Sequence, residues 1–351
     1  MRIPHFTTLL KQCVSTVLFH AKVPQKKIAQ RSSSQYLILM YHRILPAAAV
    51  DATVEPGMYV SLESFAKHIA FLSQHFTLVP LASPLAAESH VSHKRPLCAI
   101  TFDDGWLDFY QNAFPVLQQF QAPATVFLPT NFIGTKKAFW TDTIAHIIYH
   151  KQDLQKALTS MPPVKAQQWD NNLIVQHIFH DESTAGSDLE LDQVVGRLKQ
   201  RRADEIYSAL QELTRICHSI RPVNRSFLNW DEVRTLHASG LVSFGSHTAE
   251  HNILTTIQAD EVKHELLRSK ERLLAEEAVD HDQPLLFCYP NGNANAELAA
   301  MVQDAGYAGA VTTRKDWNAL GANRFLLNRI GLHEDMSSTP AMFACRLAGF
   351  I

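Results

Sequence analysis

The amino-acid sequence predicts an α/β fold built on a parallel sheet or barrel. Short apolar runs that suit buried strands alternate with helical stretches along most of the chain. Polar residues follow directly on the ends of several of these runs. With 351 residues, 46% of them hydrophobic, the chain can bury a sizeable core. In parallel α/β folds the active site lies at the carboxyl ends of the strands, and we expect a site there.

The predicted strands are apolar runs of five or six residues. They cover residues 36–41, 97–102, 124–128, 241–245, 285–289 and 308–312. The predicted helices between them cover residues 61–75, 113–120, part of 226–239, 259–275 and 294–305. Ser61 and Asn229 are candidate N-caps, and Gly306 follows the last of these helices, as is typical of a helix C-terminus.

Two segments do not follow this alternation of strands and helices. Residues 139–225 are mostly helical in pattern and rich in Gln, Lys, Asp and His, and we interpret them as a helical insertion in a catalytic domain of residues 35–351. Residues 1–34 form an N-terminal extension with apolar residues at helical spacing and several lysines. This suits either a helix that makes peripheral contact with a membrane surface or an ordinary amphipathic helix packed on the domain.

Composition excludes several classes of protein. The net charge is −2, so the basic face that a nucleic-acid-binding protein needs is not indicated. The five cysteines are widely spaced and odd in number, which argues against a zinc finger or a disulfide framework. Since the N-terminal segment is a poor secretion leader and the cysteines suit a reducing compartment, we expect a bacterial protein that is cytoplasmic or peripheral on the inner membrane.

Two polar motifs suggest a metal site. Asp103 and Asp104 follow a buried strand, and successive side chains there point in different directions, so one carboxylate can ligate a metal while the other faces a substrate. His247 and His251 are four residues apart, a spacing that lets both imidazoles reach one ion if they lie on one helical turn. One carboxylate and two imidazoles leave positions open for water and substrate. Water on such an ion loses a proton near neutral pH, and the second Asp can accept it.

A third motif, Tyr289-Pro290-Asn291-Gly292, follows the strand at 285–289. Its proline and glycine favour a tight loop at the strand end. Backbone N–H groups of such a loop are suited to binding a substrate or its oxyanion.

Together, Thr-Phe-Asp-Asp-Gly (101–105), Ser-His-Thr-x-x-His (246–251) and Tyr-Pro-x-Gly (289–292) resemble the polysaccharide deacetylases with a NodB-homology domain, carbohydrate esterase family 4. The resemblance covers residues 36–135 and 226–333. It implies a distorted (β/α) barrel, a divalent metal that is usually Zn²⁺, and an N-acetylated glycan as substrate. It further implies Asp103 as the general base and, as metal ligands, Asp104, His247 and His251.

The sequence departs from the family pattern at two places. Cys288 stands where the family has an arginine that orients the base, and Arg329 is the candidate to supply that charge from another strand. The late His of the family, which acts as general acid, matches His333 only in part. His42, which directly follows the first predicted strand, fits the arrangement of a permuted branch of the family, and His333 is the other candidate.

We therefore expect a metal-dependent N-deacetylase that acts on an amino sugar in a surface polysaccharide or its lipid-linked precursor. An amidohydrolase on a small non-sugar amide uses the same ligands and stays open. A catalytically inactive carbohydrate-binding domain is the third possibility, and the joint presence of the base and all three ligands disfavours it.

Overall fold

The structure is a computed structural model that describes residues 6–31, 35–50, 54–55, 57–85, 94–161, 169, 171–180, 187–217 and 225–351. Residues 32–34, at the expected end of the N-terminal extension, lie outside this part. The described residues form two compact units. One is drawn from residues 1–49, 57–135 and 227–351, and the other from residues 50–56 and 136–226.

Eleven strands occur in the described ranges. They are β1 (Gln35–Tyr41), β2 (Arg43–Leu45), β3 (Tyr59–Ser61), β4 (Thr77–Leu78), β5 (Leu97–Phe102), β6 (Ala124–Leu128), β7 (Val242–Ser246), β8 (Leu286–Cys288), β9 (Gly309–Val311), β10 (Asn318–Ala319) and β11 (Ile330–Gly331). All belong to the first unit.

The α-helices of the same ranges are α1 (Phe6–His20), α2 (Val23–Ala29), α3 (Leu62–His75), α4 (Phe114–Phe120), α5 (Trp140–Tyr149), α6 (Lys151–Thr159), α7 (Leu173–Val175), α8 (Ser187–Leu198), α9 (Ala203–Ile216), α10 (Trp230–Ala238), α11 (Ala259–Ala275), α12 (Ala296–Asp304), α13 (Glu334–Ser337) and α14 (Pro340–Leu347). No helix among the described residues has both the length and the hydrophobicity that a membrane crossing requires.

The main sheet has the order β10-β1-β5-β6-β7-β8-β9, and all of its pairings except β1 with β10 are parallel. The segment after β10 leads from β9 back to β1. Leu327 forms a parallel bridge with Val311 of β9, and β11 pairs in parallel with Leu39 and Met40 of β1. The fold is thus a distorted (β/α) barrel, and the predicted fold class is confirmed.

One end of this barrel collects the residues that follow the strands. Tyr41 of β1 is opposite Phe102 of β5, and Leu128 of β6 is opposite Ser246 of β7. The pairing runs one residue further, because the N–H of Asp103 donates to Tyr41 O (3.0 Å) and that of His247 to Leu128 O (3.0 Å). Side chains of neighbouring motifs therefore emerge at one edge.

The barrel interior is closed by a layer of apolar side chains below that edge, which comprises Tyr36, Ile38, Leu81, Leu97, Ala99, Phe127, Leu286, Cys288, Val311 and Leu327. Along β5 the side chains alternate, so Leu97, Ala99, Thr101 and Asp103 share the interior face. Asp103 consequently points into the barrel above the apolar layer and is only 3% exposed.

The second unit contains α5 to α9, and its described residues include no strand. Its helices pack around their own apolar core, which contains Ile144, Ile147, Leu154, Ile174, Val194, Leu198, Leu210 and Leu213. α9 carries Asp204 and Glu205 in its first turn and Arg215 in its last turn, a distribution that complements the helix dipole.

Candidate active site

The turn after β5 separates the two aspartates. Asp104 adopts a left-handed conformation with φ 74°, and Gly105 follows with φ 64°. A Cβ at Gly105 would lie 2.5 Å from Cδ2 of Leu128, so a larger residue would displace that side chain and would also strain the left-handed backbone. This turn directs the Asp103 carboxylate into the barrel and leaves the Asp104 carboxylate at the edge of the sheet where the strands end.

The stretch from His247 to His251 is not a helical turn, and that premise of the sequence analysis was wrong. No helix is present between Ser246 and Ile253, and both Thr248 (φ 67°) and His251 (φ 58°) are left-handed. The two imidazoles nevertheless meet, with ring centroids 4.8 Å apart. Non-glycine residues in this region cost free energy, and such strain concentrates at functional sites.

Asp104 lies between the two histidines. Its Oδ1 is 3.4 Å from Nε2 of His247 and 3.3 Å from Nε2 of His251. Each ligand atom of this trio is within 4.8 Å of the others. Two ligands at about 2.1 Å from a tetrahedral ion are roughly 3.4 Å apart, so these residues fit a zinc-like ion.

The remaining atoms of the ligands are held by the protein. His247 Nδ1 lies 2.8 Å from the Cys288 carbonyl oxygen and donates to it, which directs Nε2 toward Asp104. Trp106 Nε1 donates to Asp104 Oδ2 (3.0 Å) and leaves Oδ1 facing the histidines. Outer partners of this kind are typical of metal sites, since they fix the tautomer and orientation of each ligand.

Glu265 of α11 fixes the loop that carries the histidines. Its Oε2 accepts from the backbone N–H of Ala249 (2.8 Å) and of Glu250 (2.9 Å), and Oε1 accepts from Asn252 Nδ2 (3.2 Å). Sequence analysis missed both Glu265 and Trp106. Neither residue has a local pattern that sets it apart from other glutamates or tryptophans of the chain.

Asp103 is bound by Arg329 through two parallel hydrogen bonds. Arg329 Nη1 lies 2.7 Å from Asp103 Oδ1, and Nη2 lies 2.7 Å from Oδ2. The guanidinium also donates to Thr312 O (2.8 Å), Thr101 Oγ1 (3.1 Å) and Cys288 Sγ (3.2 Å). All five N–H groups of this fully buried arginine therefore have acceptors.

Different neighbours lower the pKa values of the two aspartates. Burial would raise the pKa of Asp103, but the Arg329 guanidinium outweighs it and holds the pKa below its usual value. For Asp104, burial is outweighed by hydrogen bonds from His247 and His251, and its pKa falls well below the usual value. Both carboxylates are therefore ionised at neutral pH, one paired with arginine and the other with imidazoles.

Asp103, His247 and Cys288 form a second trio whose ligand atoms lie within 4.8 Å. Arg329 already donates to Asp103 and Cys288 in this trio, so a permanent positive charge occupies the space that a cation would need. Burial also raises the pKa of the Cys288 thiol, although Arg329 opposes this, and a neutral thiol is a poor ligand. The trio with Asp104 is the better metal site.

The two candidate acids follow neighbouring strands. Nε2 of His42, after β1, lies 3.9 Å from Asp103 Oδ2. His333, after β11, has Nδ1 4.0 Å from Asp335 Oδ2, and among the described residues it makes no ion pair with Asp103 or Asp104. Burial lowers the pKa of His333. The structure thus brings His42, and not His333, beside the carboxylate predicted to act as base.

The third motif forms a tight loop after β8, with Asn291 left-handed at φ 57°. The Tyr289 N–H donates to Val311 O (3.2 Å), the Gly292 N–H donates to Tyr289 O (2.8 Å), and the Tyr289 hydroxyl donates to Phe325 O (3.0 Å). These three donors are already paired, Pro290 has no N–H, and the Asn291 side chain donates to Asn293 Oδ1 (2.7 Å). Within this motif the backbone N–H of Asn291 is therefore the better candidate for an oxyanion donor.

Comparison with known proteins gives the same family. The profile of the family "Polysaccharide deacetylase" matches residues 90–164 and 194–310, more than half of the chain. The Bacillus subtilis (strain 168) protein "Putative polysaccharide deacetylase YxkH" is 26% identical over 157 residues, 42% of this chain and 53% of that protein. The chain thus spans about half the length of this curated relative.

Solved structures share the fold at low identity. The Streptococcus pyogenes deacetylase PplD, solved in complex with acetate, matches with a TM-score of 0.52 and 17% identity, covering 86% of this chain and 94% of that one. IcaB from Ammonifex degensii matches with a TM-score of 0.54 and 16% identity, over 89% and 97% of the two chains. A Bacillus cereus polysaccharide deacetylase gives 0.54 and 18%, over 89% and 69%. With the profile match across β5 to β8 and the three site motifs, the chain belongs to the polysaccharide deacetylase family, whose members are hydrolases that act on carbon–nitrogen bonds.

Proposed function

We propose that this protein removes the N-acetyl group from an amino sugar in a surface polysaccharide or its lipid-linked precursor, releasing acetate and a free amine. The observation that carries this proposal is the placement of two differently paired carboxylates at one edge. Asp104 faces two imidazoles, while Asp103, next in the chain, faces a buried arginine. This division suits one metal ligand and one base.

Asp104, His247 and His251 would hold a divalent metal, and Zn²⁺ suits a set of two nitrogens and one oxygen. Such an ion polarises the amide carbonyl and makes water acidic enough to react near neutral pH. Because protons compete for the imidazole nitrogens, His247 and His251 bind the ion only when Nε2 of each is unprotonated.

Asp103 is proposed as the general base. Arg329 keeps it ionised, and each carboxylate oxygen retains a lone pair beside the one that accepts from the guanidinium. The arginine also fixes the plane of the carboxylate. Asp103 can therefore take a proton from water without leaving its position, as a general base requires.

His42 is proposed as the general acid. An amine leaves the tetrahedral carbon readily only when its nitrogen is protonated, and an imidazole is suited to give that proton near neutral pH. Its Nε2 lies on the Asp103 side of the site, at 3.9 Å from Oδ2. Asp103 would thus accept a proton, and His42 would donate one, at neighbouring positions of the same site.

The compartment stays a prediction. Cys98, Cys288 and Cys345 are free thiols buried in the protein. Free thiols suit a reducing compartment, and we propose the cytoplasm or the inner face of the membrane of a bacterium. Cell fractionation would test this, since recovery of the mature protein from the periplasm would contradict it.

An acetate-release assay on a panel of N-acetylated glycans, with and without a chelator, tests the proposed function. We expect acetate and free amine in equal amounts from at least one glycan, and loss of both with the chelator. Release from small non-sugar amides alone would instead favour the amidohydrolase alternative. Binding to a glycan with no release from any substrate would favour a carbohydrate-binding domain.

A further inference from the structure

The N-terminal helix α1 turns its apolar face away from the protein. Four of its large apolar side chains are strongly exposed, namely Leu9 (46%), Leu10 (56%), Val14 (48%) and Val17 (69%). Only three other large hydrophobic residues in the described ranges are exposed to a similar degree: Tyr149, Leu267 and Phe350. A surface helix normally does the opposite and buries its apolar stripe.

Ser15 lies on the side of α1 that faces the protein. Ser15 is 1% exposed, and its carbonyl oxygen lies 3.8 Å from the Sγ of Cys345 in α14, while Phe19 packs near Phe71 of α3. At about 100° per residue, the four side chains lie within roughly 20° (Val17), 40° (Leu10), 60° (Leu9) and 80° (Val14) of the direction opposite Ser15. They thus form one broad stripe on the half of α1 that faces away from Ser15. A contiguous apolar patch of this kind marks an interaction surface.

The N-terminal sequence that carries this stripe has charges of one sign only. Residues 1–31 contain six of the 32 Lys and Arg and none of the 34 Asp and Glu, so they carry a formal charge of +6. The remaining 26 basic and 34 acidic residues give the rest of the chain −8. Lys22 and Lys26 of this segment are exposed, and Lys27 lies over the ring of Phe350, which is itself 40% exposed.

We propose that α1 and α2 bind the protein to the surface of an anionic phospholipid bilayer, with the stripe Leu9, Leu10, Val14 and Val17 inserted among the lipids. An apolar stripe flanked by lysines, with no acidic residue nearby in sequence, has the chemistry of an interfacial helix. A second copy of the chain is a poorer occupant. A two-fold contact would place this basic segment against itself, and like charges would oppose it.

Sedimentation of the full-length protein with lipid vesicles tests the proposal. We expect binding to vesicles of phosphatidylcholine with phosphatidylglycerol, and at least tenfold weaker binding to phosphatidylcholine alone or at high salt. The variant L10Q/V14Q/V17Q should lose binding by at least tenfold, because the inserted side chains become polar. Leu267→Gln, an exposed leucine on α11, is the matched control and should bind like wild type.

The Gln substitutions lie on exposed positions, and unchanged thermal unfolding and unchanged acetate release from a soluble glycan would show that the variant is folded. Equal sedimentation of wild type and triple variant would overturn the proposal. So would failure of wild type to bind any vesicle, or a stable dimer in solution that the triple variant abolishes. Since sedimentation needs no turnover, its outcome is independent of whether the protein is a deacetylase.

Discussion

Asp103 is paired with Arg329, which lies 226 residues further along the chain. Cys288 stands where the family resemblance leads one to expect an arginine, and Arg329 approaches the same carboxylate from the segment that closes the barrel. Its Nη2 donates to Cys288 Sγ, so the small thiol leaves room for the guanidinium. An arginine charge therefore lies beside Asp103, although it comes from a different place in the sequence than the resemblance implies.

At this scale the two aspartates make the sharpest prediction. Asp103→Asn should lower turnover by about 10²–10⁴-fold, since an amide cannot accept the proton, and should leave metal content near that of wild type. Asp104→Asn should lose metal and activity together, because it weakens the ligand that faces both histidines. Metal analysis beside kinetics measures both. If Asp103→Asn lost the metal and Asp104→Asn kept it, the two roles would be reversed.

The two candidate acids give a second prediction. His42→Gln should reduce kcat on an N-acetylated sugar by about 10²–10⁴-fold, while His333→Gln, the matched control, should change it far less. On 4-nitrophenyl acetate, whose leaving group departs without protonation, the two variants should differ little. A large loss for His333→Gln on the sugar, with little change for His42→Gln, would assign the acid to His333.

At the scale of structural elements, the conformation of the loop between β7 and α11 was not predicted from the sequence. The spacing of His247 and His251 indicated a shared helical turn, but the loop is irregular, with left-handed Thr248 and His251. The imidazoles still converge, because the loop is fixed from outside by Glu265 of α11. A contact across 16 residues leaves no trace in the local pattern, so sequence analysis singled out the two histidines without the geometry that brings them together.

Regular elements were easier to predict. The helix at 61–75 appears as Leu62–His75, with Ser61 as the cap whose side chain accepts from the Ser64 N–H. Asn229 caps α10 through a reciprocal capping box with Glu232. Short-range hydrogen bonds and periodic burial define these ends, and both are visible in sequence. Sequence analysis placed Arg329 on a further strand without predicting its bounds, because a run as short as the two residues of β11 has no period.

Glu265 gives a prediction for this loop. Glu265→Gln should weaken zinc affinity by about 10–100-fold, since the amide holds the N–H groups of Ala249 and Glu250 less strongly than a carboxylate does. Titration of the metal-free protein with zinc measures the change. Glu271→Gln alters an exposed glutamate of the same helix and is the control. Equal zinc affinity in both variants would show that Glu265 does not support the metal site.

His68 joins three elements and predicts a pH dependence of stability. Its Nε2 lies 2.6 Å from Ser337 O, its Nδ1 lies 3.2 Å from the Tyr41 hydroxyl, and its ring stacks on Phe343 at 3.9 Å. Burial lowers its pKa from 6.5 to about 4, although the Ser337 carbonyl opposes this. The folded protein thus holds a neutral imidazole there.

Between pH 6.5 and about 4 the unfolded chain binds a proton at His68 that the folded protein does not. The contribution of His68 to the free energy of unfolding is therefore fully present above pH 6.5, falls as the pH drops through this window, and levels off below it. The free energy of unfolding falls by an amount on the order of 3 kcal/mol across the window. Urea unfolding of wild type and His68→Gln across this range should show the steeper fall in wild type, and parallel curves would contradict it.

For the whole molecule, the fold was predictable because parallel strands bring their following residues to one edge whatever lies between them. Residues 136–226 interrupt the chain between β6 and β7 without disturbing the pairing of Leu128 with Ser246. The outward stripe on α1 was not predictable. The apolar periodicity of α1 is visible in its sequence, but the side of the helix that faces the protein depends on packing against α14, a contact that is distant in sequence.

The central claim is that one metal ion, held by Asp104, His247 and His251, is required for deacetylation. The most direct test is to titrate metal-free protein with zinc while following acetate release from an N-acetylated glycan that the enzyme accepts. We predict no release without zinc, a linear rise with added zinc, and saturation at about one equivalent per chain, as a single three-ligand site requires. Full release from the metal-free protein, or saturation only at about two equivalents, would contradict the account.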